Sequence, residues 1–305
     1  MSLLSSLNIS NDVAFVCPFS RTSGQVRGVQ ISKFLNCQVY NLNSVDSSIF
    51  HKRLVIFVRF FNPELVNILR QRNIVVGYDV SIPNINSDDT LLGFAGQNFD
   101  FYIANNDNHK SDIERQVKGD RPVFIIPHHH INIDNISPNI INQDVKTVGF
   151  VGLSRFLGDY ISTIDEFCKS RSISFICDHP DSRESVVEIL KKIDIGIGCD
   201  LSKDDKFYSE FLSNRPITKL INYQSFGIPS ISSSYKSATQ FGASAYLVAD
   251  SIDELLEAID MLLQNFDLRK ELSEKGVENS QKYNIDKIAK IYVIMIKEVL
   301  SELQQ

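Results

Sequence analysis

Pro216-Ile-Thr-Lys-Leu-Ile-Asn-Tyr-Gln-Ser-Phe-Gly-Ile-Pro-Ser-Ile-Ser-Ser-Ser234 is followed by a loop, then by Ala245-Tyr-Leu-Val-Ala-Asp-Ser251 and an amphipathic segment. The stretch reads as a short helix, a glycine stop, a buried strand and a strand-end loop, with a second strand and helix behind them. Pro216 suits a first helical position, where its missing N–H would have had no partner. Gly227 can take the left-handed conformation that ends a helix. Pro229 opens an apolar strand that runs into three serines. The free N–H groups of such a helix start favour a phosphate, and Lys219, one turn in, adds charge.

The same alternation extends to both ends of the chain. Apolar runs at Val13–Cys17, Leu54–Val58, 74–78, Phe101–Ala104 and 123–126 read as strands. A polar, glycine-bearing loop from Ser20 follows the first, then a helical stretch to Leu35, and Pro63 opens a helix to Arg72. The polar segment 132–146 reads as a linker. A second cycle follows it. Strands are expected at Thr147–Val151, 174–177 and 193–197, with helices to about residue 170 and over 183–192. Ser251-Ile-Asp-Glu254 is a capping box ahead of a helix whose apolar positions recur with helical spacing. The last helix, from Ile285 to about Leu303, is apolar on more than one face and therefore needs cover. Strand–helix alternation of this kind predicts an α/β fold with parallel sheets. Two such series predict two Rossmann-like domains, divided as 1–143 and 144–284, with 285–305 as a terminal helix.

Composition narrows the function. At 305 residues, 43% hydrophobic and 22% charged, the chain matches a globular protein with room for two cores. Its formal net charge of −6 argues against nucleic acid as a partner. The five cysteines are odd in number and scattered, without a Cys-x-x-Cys, which predicts buried free thiols in a reducing compartment. The N-terminus lacks the basic flank and apolar stretch of a signal peptide. No run of about 18 apolar residues exists to span a membrane. The expectation is a cytoplasmic protein, with peripheral membrane contact left open.

Lys219-Leu-Ile-Asn222-Tyr-Gln-Ser-Phe-Gly227-Ile-Pro229 resembles the Lys-Leu-x-Glu-Tyr-x-x-x-Gly-x-Pro segment that lies beside the donor in GT-B glycosyltransferases of the group 1 (family 4-like) branch. The departure is Asn222, where the family usually has glutamate. The resemblance implies two domains facing across a cleft and a last helix crossing back onto the first. It also implies transfer of a sugar from a nucleotide-diphosphate donor to a hydroxyl acceptor, with no metal and no other cofactor. Two alternatives stand beside it: a non-catalytic nucleotide-sugar-binding or interaction protein, and a GT-B epimerase or hydrolase.

Parallel sheets bind ligands at the carboxyl ends of their strands, and the candidate residues come from those loops. For the donor these are Gly24, Gly152, Arg155, Asn214, Thr218, Lys219, Asn222, Tyr235, Lys236 and Ser237. Arg155 and Lys219 are the cations for phosphate, since no Asp-x-Asp is present to hold a metal-bound nucleotide. The family's Glu-x7-Glu pair falls on Asn214 and Asn222. Asparagine can hydrogen-bond hydroxyls but cannot act as acid or base, so Asn222 is a candidate ribose contact. Catalytic candidates are His109, as an acceptor-side base, and Glu210, four residues before Asn214. His128, in the run His128-His129-His130, is a cleft candidate. Alternation puts His128 and His130 on one side, but no third metal ligand has convincing spacing. No nucleophile elbow, Walker loop or Gly-x-Gly-x-x-Gly is present.

Overall fold

The computed structural model describes residues 8–20, 23–81, 99–117, 120–201, 214–234 and 244–302. The chain forms two compact units. Unit 1 comprises Met1–His128, Ser213–Pro216 and Ile285–Gln305, and unit 2 comprises His129–Leu212 and Ile217–Asn284. The division falls earlier than the expected 143/144, because the polar segment is fastened to unit 2 rather than free. Asn132 bonds to Ile136 and to the Ser225 carbonyl, and Asn139 donates from its side chain to Leu190 O.

Unit 1 is built on the sheet β2-β1-β3-β4-β5-β6, all parallel. Its strands are β1 (Val13–Cys17), β2 (Gln38–Asn41), β3 (Leu54–Val58), β4 (Val75–Asp79), β5 (Phe101–Ala104) and β6 (Val123–Ile125). All residues of β1, β3 and β5 are buried, as expected of continuous apolar runs covered on both faces. β2 was not anticipated; its Gln-Val-Tyr-Asn has too short an apolar pattern to announce a strand. After β1 the chain turns through a π-helical stretch, Gly24–Gln30, before the α-helix Ile31–Leu35. Pro63 opens the helix Pro63–Gln71, and the Asn62 side chain caps it by accepting from Glu64 N and Leu65 N. The last helix, Ile285–Glu302, buries Ile285, Ile288, Ala289, Tyr292, Met295, Ile296, Val299 and Leu300 within this unit.

Unit 2 is built on β11-β10-β9-β7-β8, also all parallel. Its strands are β7 (Thr147–Val151), β8 (Ser174–Asp178), β9 (Ile195–Ile197), β10 (Ser230–Ser232) and β11 (Leu247–Val248). The chain leaves β7 for β8 on one side and returns to β9 on the other. The strand order therefore reverses between β7 and β9, which is the switch point at which open sheets bind ligands. The quoted helix spans Thr218–Ser225, so Pro216 lies two residues ahead of it rather than at its first position. Gly227 follows its C-cap at φ +66°, the left-handed turn expected of it. Ser251 caps the helix Ile252–Gln264 by accepting from Glu254 N. A further helix, Phe266–Ser280, was not foreseen. It packs on Thr218–Ser225, where a Cβ at Gly276 would stand 3.1 Å from Gln224 Cγ. All five cysteines are free thiols.

Candidate functional site

The helix Thr218–Ser225 is held against the β7/β9 switch point by Tyr223. Its buried hydroxyl accepts from Val151 N at 2.9 Å and lies 3.2 Å from Gly149 O and 3.1 Å from Ile197 O. The ring needs Gly196, since a Cβ there would stand 2.6 Å from its carbons. With Tyr223 docked, Lys219 one turn earlier reaches the carboxyl end of β7. Its Nζ lies 4.0 Å from the Phe150 ring centroid and 4.5 Å from that of Phe156. Gly152 borders the same side chain; a Cβ there would stand 2.7 Å from Lys219 Cε. The charge is felt further along the strand ends. Burial pushes up the thiols of Cys177 and Cys199, and Lys219 opposes the shift at each. Thr218, Lys219 and Gly152 therefore share one corner of unit 2, at the strand ends. Arg155 is exposed in the 3-10 turn Ser154–Phe156, with its guanidinium 5.3 Å from the Phe156 ring centroid.

Asn222 lies on the same helix, half-buried. Its Oδ1 accepts from Ile131 N at 2.9 Å, which takes one of the oxygen's two lone pairs. Asn214 belongs to unit 1, where its Nδ2 donates to Asp112 Oδ2 at 3.3 Å and its carbonyl accepts from Asn106. Glu210, Tyr235, Lys236 and Ser237 fall outside the described residues.

Unit 1 carries its own polar cluster at the carboxyl ends of β4 and β5. Arg27, 1% exposed, projects from the π-helical stretch. It donates from Nε to Asp79 Oδ2 and from Nη1 to Ile126 O, both at 2.7 Å. Asp79 also accepts from Tyr292 Oη at 2.9 Å and from Ser81 N at 3.0 Å. Asn105 donates to Ser81 O and its backbone N–H donates to His109 Nδ1 at 3.1 Å. Arg27 Nη2, Ser81 Oγ and Asn105 Oδ1 are buried without a hydrogen-bond partner.

His109 is a member of this cluster, but not in the form expected of a base. Its Nδ1 lone pair is occupied by Asn105, and burial, with the charge of Arg27 adding, pulls its pKa down to about 3. The ring is neutral, with its proton placed by this network on Nε2, so it is a donor. Gly24 is explained by the fold itself, since a Cβ there would stand 2.2 Å from Pro18 O. His128, His129 and His130 are all buried. His130 Nε2 pairs with Asn284 Oδ1 at 2.5 Å and His129 Nδ1 with His130 O at 2.9 Å. His129 and His130 are thus committed to protein partners within unit 2.

Sequence reasoning missed the roles of Tyr223, Phe150, Phe156 and the Arg27–Asp79–Tyr292 network. The only local sign was Tyr223 on an otherwise apolar helix face, where a buried hydroxyl must find partners.

No protein-family model matches the chain, and no curated protein sequence does. Solved structures do. HepE from Anabaena, in complex with UDP and glucose, superposes with a TM-score of 0.63 at 10% identity, over 95% of this chain and 99% of that one. A sucrose-phosphate synthase from Thermosynechococcus elongatus gives 0.63 at 11% identity, again over 95% and 99%. The chain has the GT-B fold. TarM of S. aureus, in complex with fondaparinux, alpha-GlcNAc-glycerol and UDP, gives 0.54 at 13% identity over 80% of this chain. The chain spans 55% of the length of that protein. Across the GT-B fold, then, similarity in backbone path persists where sequence similarity has all but vanished. Among the described residues no helix is long and apolar enough to cross a membrane.

Proposed function

We propose that this chain is a glycosyltransferase that moves a sugar from a nucleotide-diphosphate donor to a hydroxyl acceptor. One observation carries the reading: the β7/β9 switch point of unit 2 is met by the start of the helix Thr218–Ser225 and by the Lys219 ammonium. Helix-start N–H groups and a lysine are what a diphosphate needs, and they supply the positive charge without calling for a metal ion. In this reading Lys219 and the N–H groups at Thr218 meet the diphosphate, and Gly152 allows its close approach. Arg155, exposed beside them, adds charge at the rim. The Asn222 amide donates to the ribose, while Tyr235, Lys236 and Ser237 serve the donor's sugar end.

Unit 1 supplies the acceptor side, with the Arg27, Ser81 and Asn105 groups at its strand ends offering both donors and acceptors to hydroxyls. His109 is a hydrogen-bond donor there rather than a base. UDP and UDP-sugar complexes among the structural neighbours support a nucleotide-sugar donor.

A charge-assisted hydrogen bond contributes about 1.5–3 kcal/mol. Lys219→Ala should therefore weaken nucleoside-diphosphate binding by about tenfold or more with the fold intact. Calorimetric titration with UDP, ADP and GDP tests this, and unchanged affinity for all three would remove the placement.

A second reading has one observation of its own. Both asparagines at the family's acidic positions already bond to the protein, as in a binding protein that no longer transfers sugar. Donor consumption with and without acceptor separates the two readings: turnover supports transfer or hydrolysis, and binding without turnover supports the second.

A further inference from the structure

Arg27 Nη2, Ser81 Oγ and Asn105 Oδ1 are buried without a hydrogen-bond partner, on residues at most 4% exposed. The three belong to one cluster. Asn105 Nδ2 donates to Ser81 O at 2.6 Å, while Ser81 N and Arg27 Nε donate to the two oxygens of Asp79. Desolvating a polar group without pairing it is unfavourable, so a cluster that served packing alone would gain from apolar side chains instead. Two backbone irregularities fall on the same residues. Arg27 projects from a π-helical stretch, and Ser81 holds the left-handed conformation at φ +51°. Both features concentrate at functional sites. The cluster also lies at the carboxyl ends of β4 and β5, where parallel sheets bind ligands.

We propose that this cluster holds an uncharged hydroxyl group of the acceptor, so that unit 1 selects an alcohol, as in a sugar or polyol, over a carboxylate or an amine. The inference rests on the reading above in which unit 1 receives the acceptor. Charge is the first reason. Arg27 and Asp79 cancel each other, Tyr292 donates its proton to Asp79, and His109 is neutral. An ionic ligand group would therefore bring a buried charge with no counter-charge left to meet it. Hydrogen bonding is the second reason. Arg27 Nη2 can only donate, Asn105 Oδ1 can only accept, and Ser81 Oγ can do either. A hydroxyl accepts from the first and donates to the second. A carboxylate leaves Asn105 Oδ1 unpaired, and an ammonium leaves Arg27 Nη2 unpaired. His109 adds the Nε2–H that its network leaves as a donor, which suits a second oxygen of a diol.

The test is NMR of the full chain with isotope-labelled histidine, read at the His109 Nε2–H signal, which His109→Gln identifies by removing it. Three small probes are titrated at equal concentration and ionic strength: ethylene glycol, acetate and ethylammonium. Ethylene glycol should shift the signal saturably, and the two ions should not. This comparison uses the wild-type chain and does not depend on any variant folding. Ser81→Ala should weaken the ethylene glycol response by about three- to tenfold. Its melting temperature should equal or exceed that of wild type, because the lost hydroxyl bonds to no protein group. A saturable shift with acetate or ethylammonium at equal or higher affinity would overturn the inference, as would no saturable shift with ethylene glycol. A lower melting temperature in Ser81→Ala with an unchanged ethylene glycol response would make the hydroxyl structural and overturn it too. None of these outcomes touches the donor side. Unchanged UDP affinity in Lys219→Ala, with the ethylene glycol response intact, would instead overturn the transfer reading and leave the hydroxyl site standing.

Discussion

Asn222 joins the two uses of one amide. Its oxygen already accepts from Ile131 N, so its NH2 is the group with its full capacity left for a ribose hydroxyl. Removing the side chain strips a backbone N–H of its acceptor and a ligand of its donor, each costing about 1–3 kcal/mol. Asn222→Ala should therefore lower both the melting temperature and nucleoside-diphosphate affinity. Asn222→Glu retains an acceptor for Ile131 and gives the ribose an acceptor as well, so it should preserve affinity. Three indistinguishable titration curves for wild type and both variants would exclude ribose contact. His109 makes a different prediction, about pH. Its folded-state pKa of about 3 lies below the ordinary 6.5, so the unfolded chain binds the extra proton between those values. The stability from this site is complete above about pH 6.5 and is lost as pH falls toward 3, by up to about 1.4 kcal/mol per pH unit. Urea denaturation from pH 7 to 4.5 should show this slope, and His109→Gln should flatten it. An unchanged slope in the variant would mean that other groups set the acid limb.

At the scale of elements, the helix Thr218–Ser225 is fixed by buried polar contacts more than by its own propensity. Tyr223 joins it to β7 and β9, and Gln224 accepts from Asn279 of the helix Phe266–Ser280 at 3.1 Å. Tyr223→Phe keeps the ring but leaves Val151 N–H without its acceptor, a loss of about 1–3 kcal/mol. The expected result is a lower urea midpoint together with weaker UDP binding, because Lys219 rides on the same helix. A lower midpoint with full affinity would separate the anchor from the site. Most elements were legible in the residues. β1, β3, β5 and β7 end where their apolar runs end, because turn residues and loss of apolarity act locally. The helix Phe266–Ser280 escaped because its interior is mostly polar, with buried Arg269, Ser273, Gly276 and Ser280 among its packed positions. Arg269 is there to bond carbonyls of Leu263, Asn142 and Gln143, and no periodicity announces that.

At the scale of the whole molecule, unit 1 is discontinuous in sequence and is joined by a buried polar link. Asp79 takes one hydrogen bond from Arg27, 52 positions away, and another from Tyr292, 213 positions away. Breaking a buried ion pair costs about 3–5 kcal/mol, because a desolvated charge is left alone. Losing a hydrogen bond to a charged group costs about 1.5–3 kcal/mol. Asp79→Asn should thus destabilise more than Tyr292→Phe, with both read as shifts in the urea midpoint. The reverse order would mean that Arg27 finds another counter-charge once Asp79 is gone.

What the sequence by itself determined was everything that local chemistry controls: the strand–helix alternation, the two parallel sheets, the glycine stop at Gly227 and the capping box at Ser251. It also placed Lys219 near a helix start, because three residues and a turn suffice to do so. Only the tertiary structure decided which distant groups meet. The aromatic seat of Lys219, the commitment of Asn222 to Ile131 and of Asn214 to Asp112, the neutral His109 and the Arg27–Asp79–Tyr292 link all depend on strand order and on how helices dock. Apolar periodicity says that a face is buried, but not against what. The partner of a buried polar group is set by chain topology, which no local pattern of residues encodes.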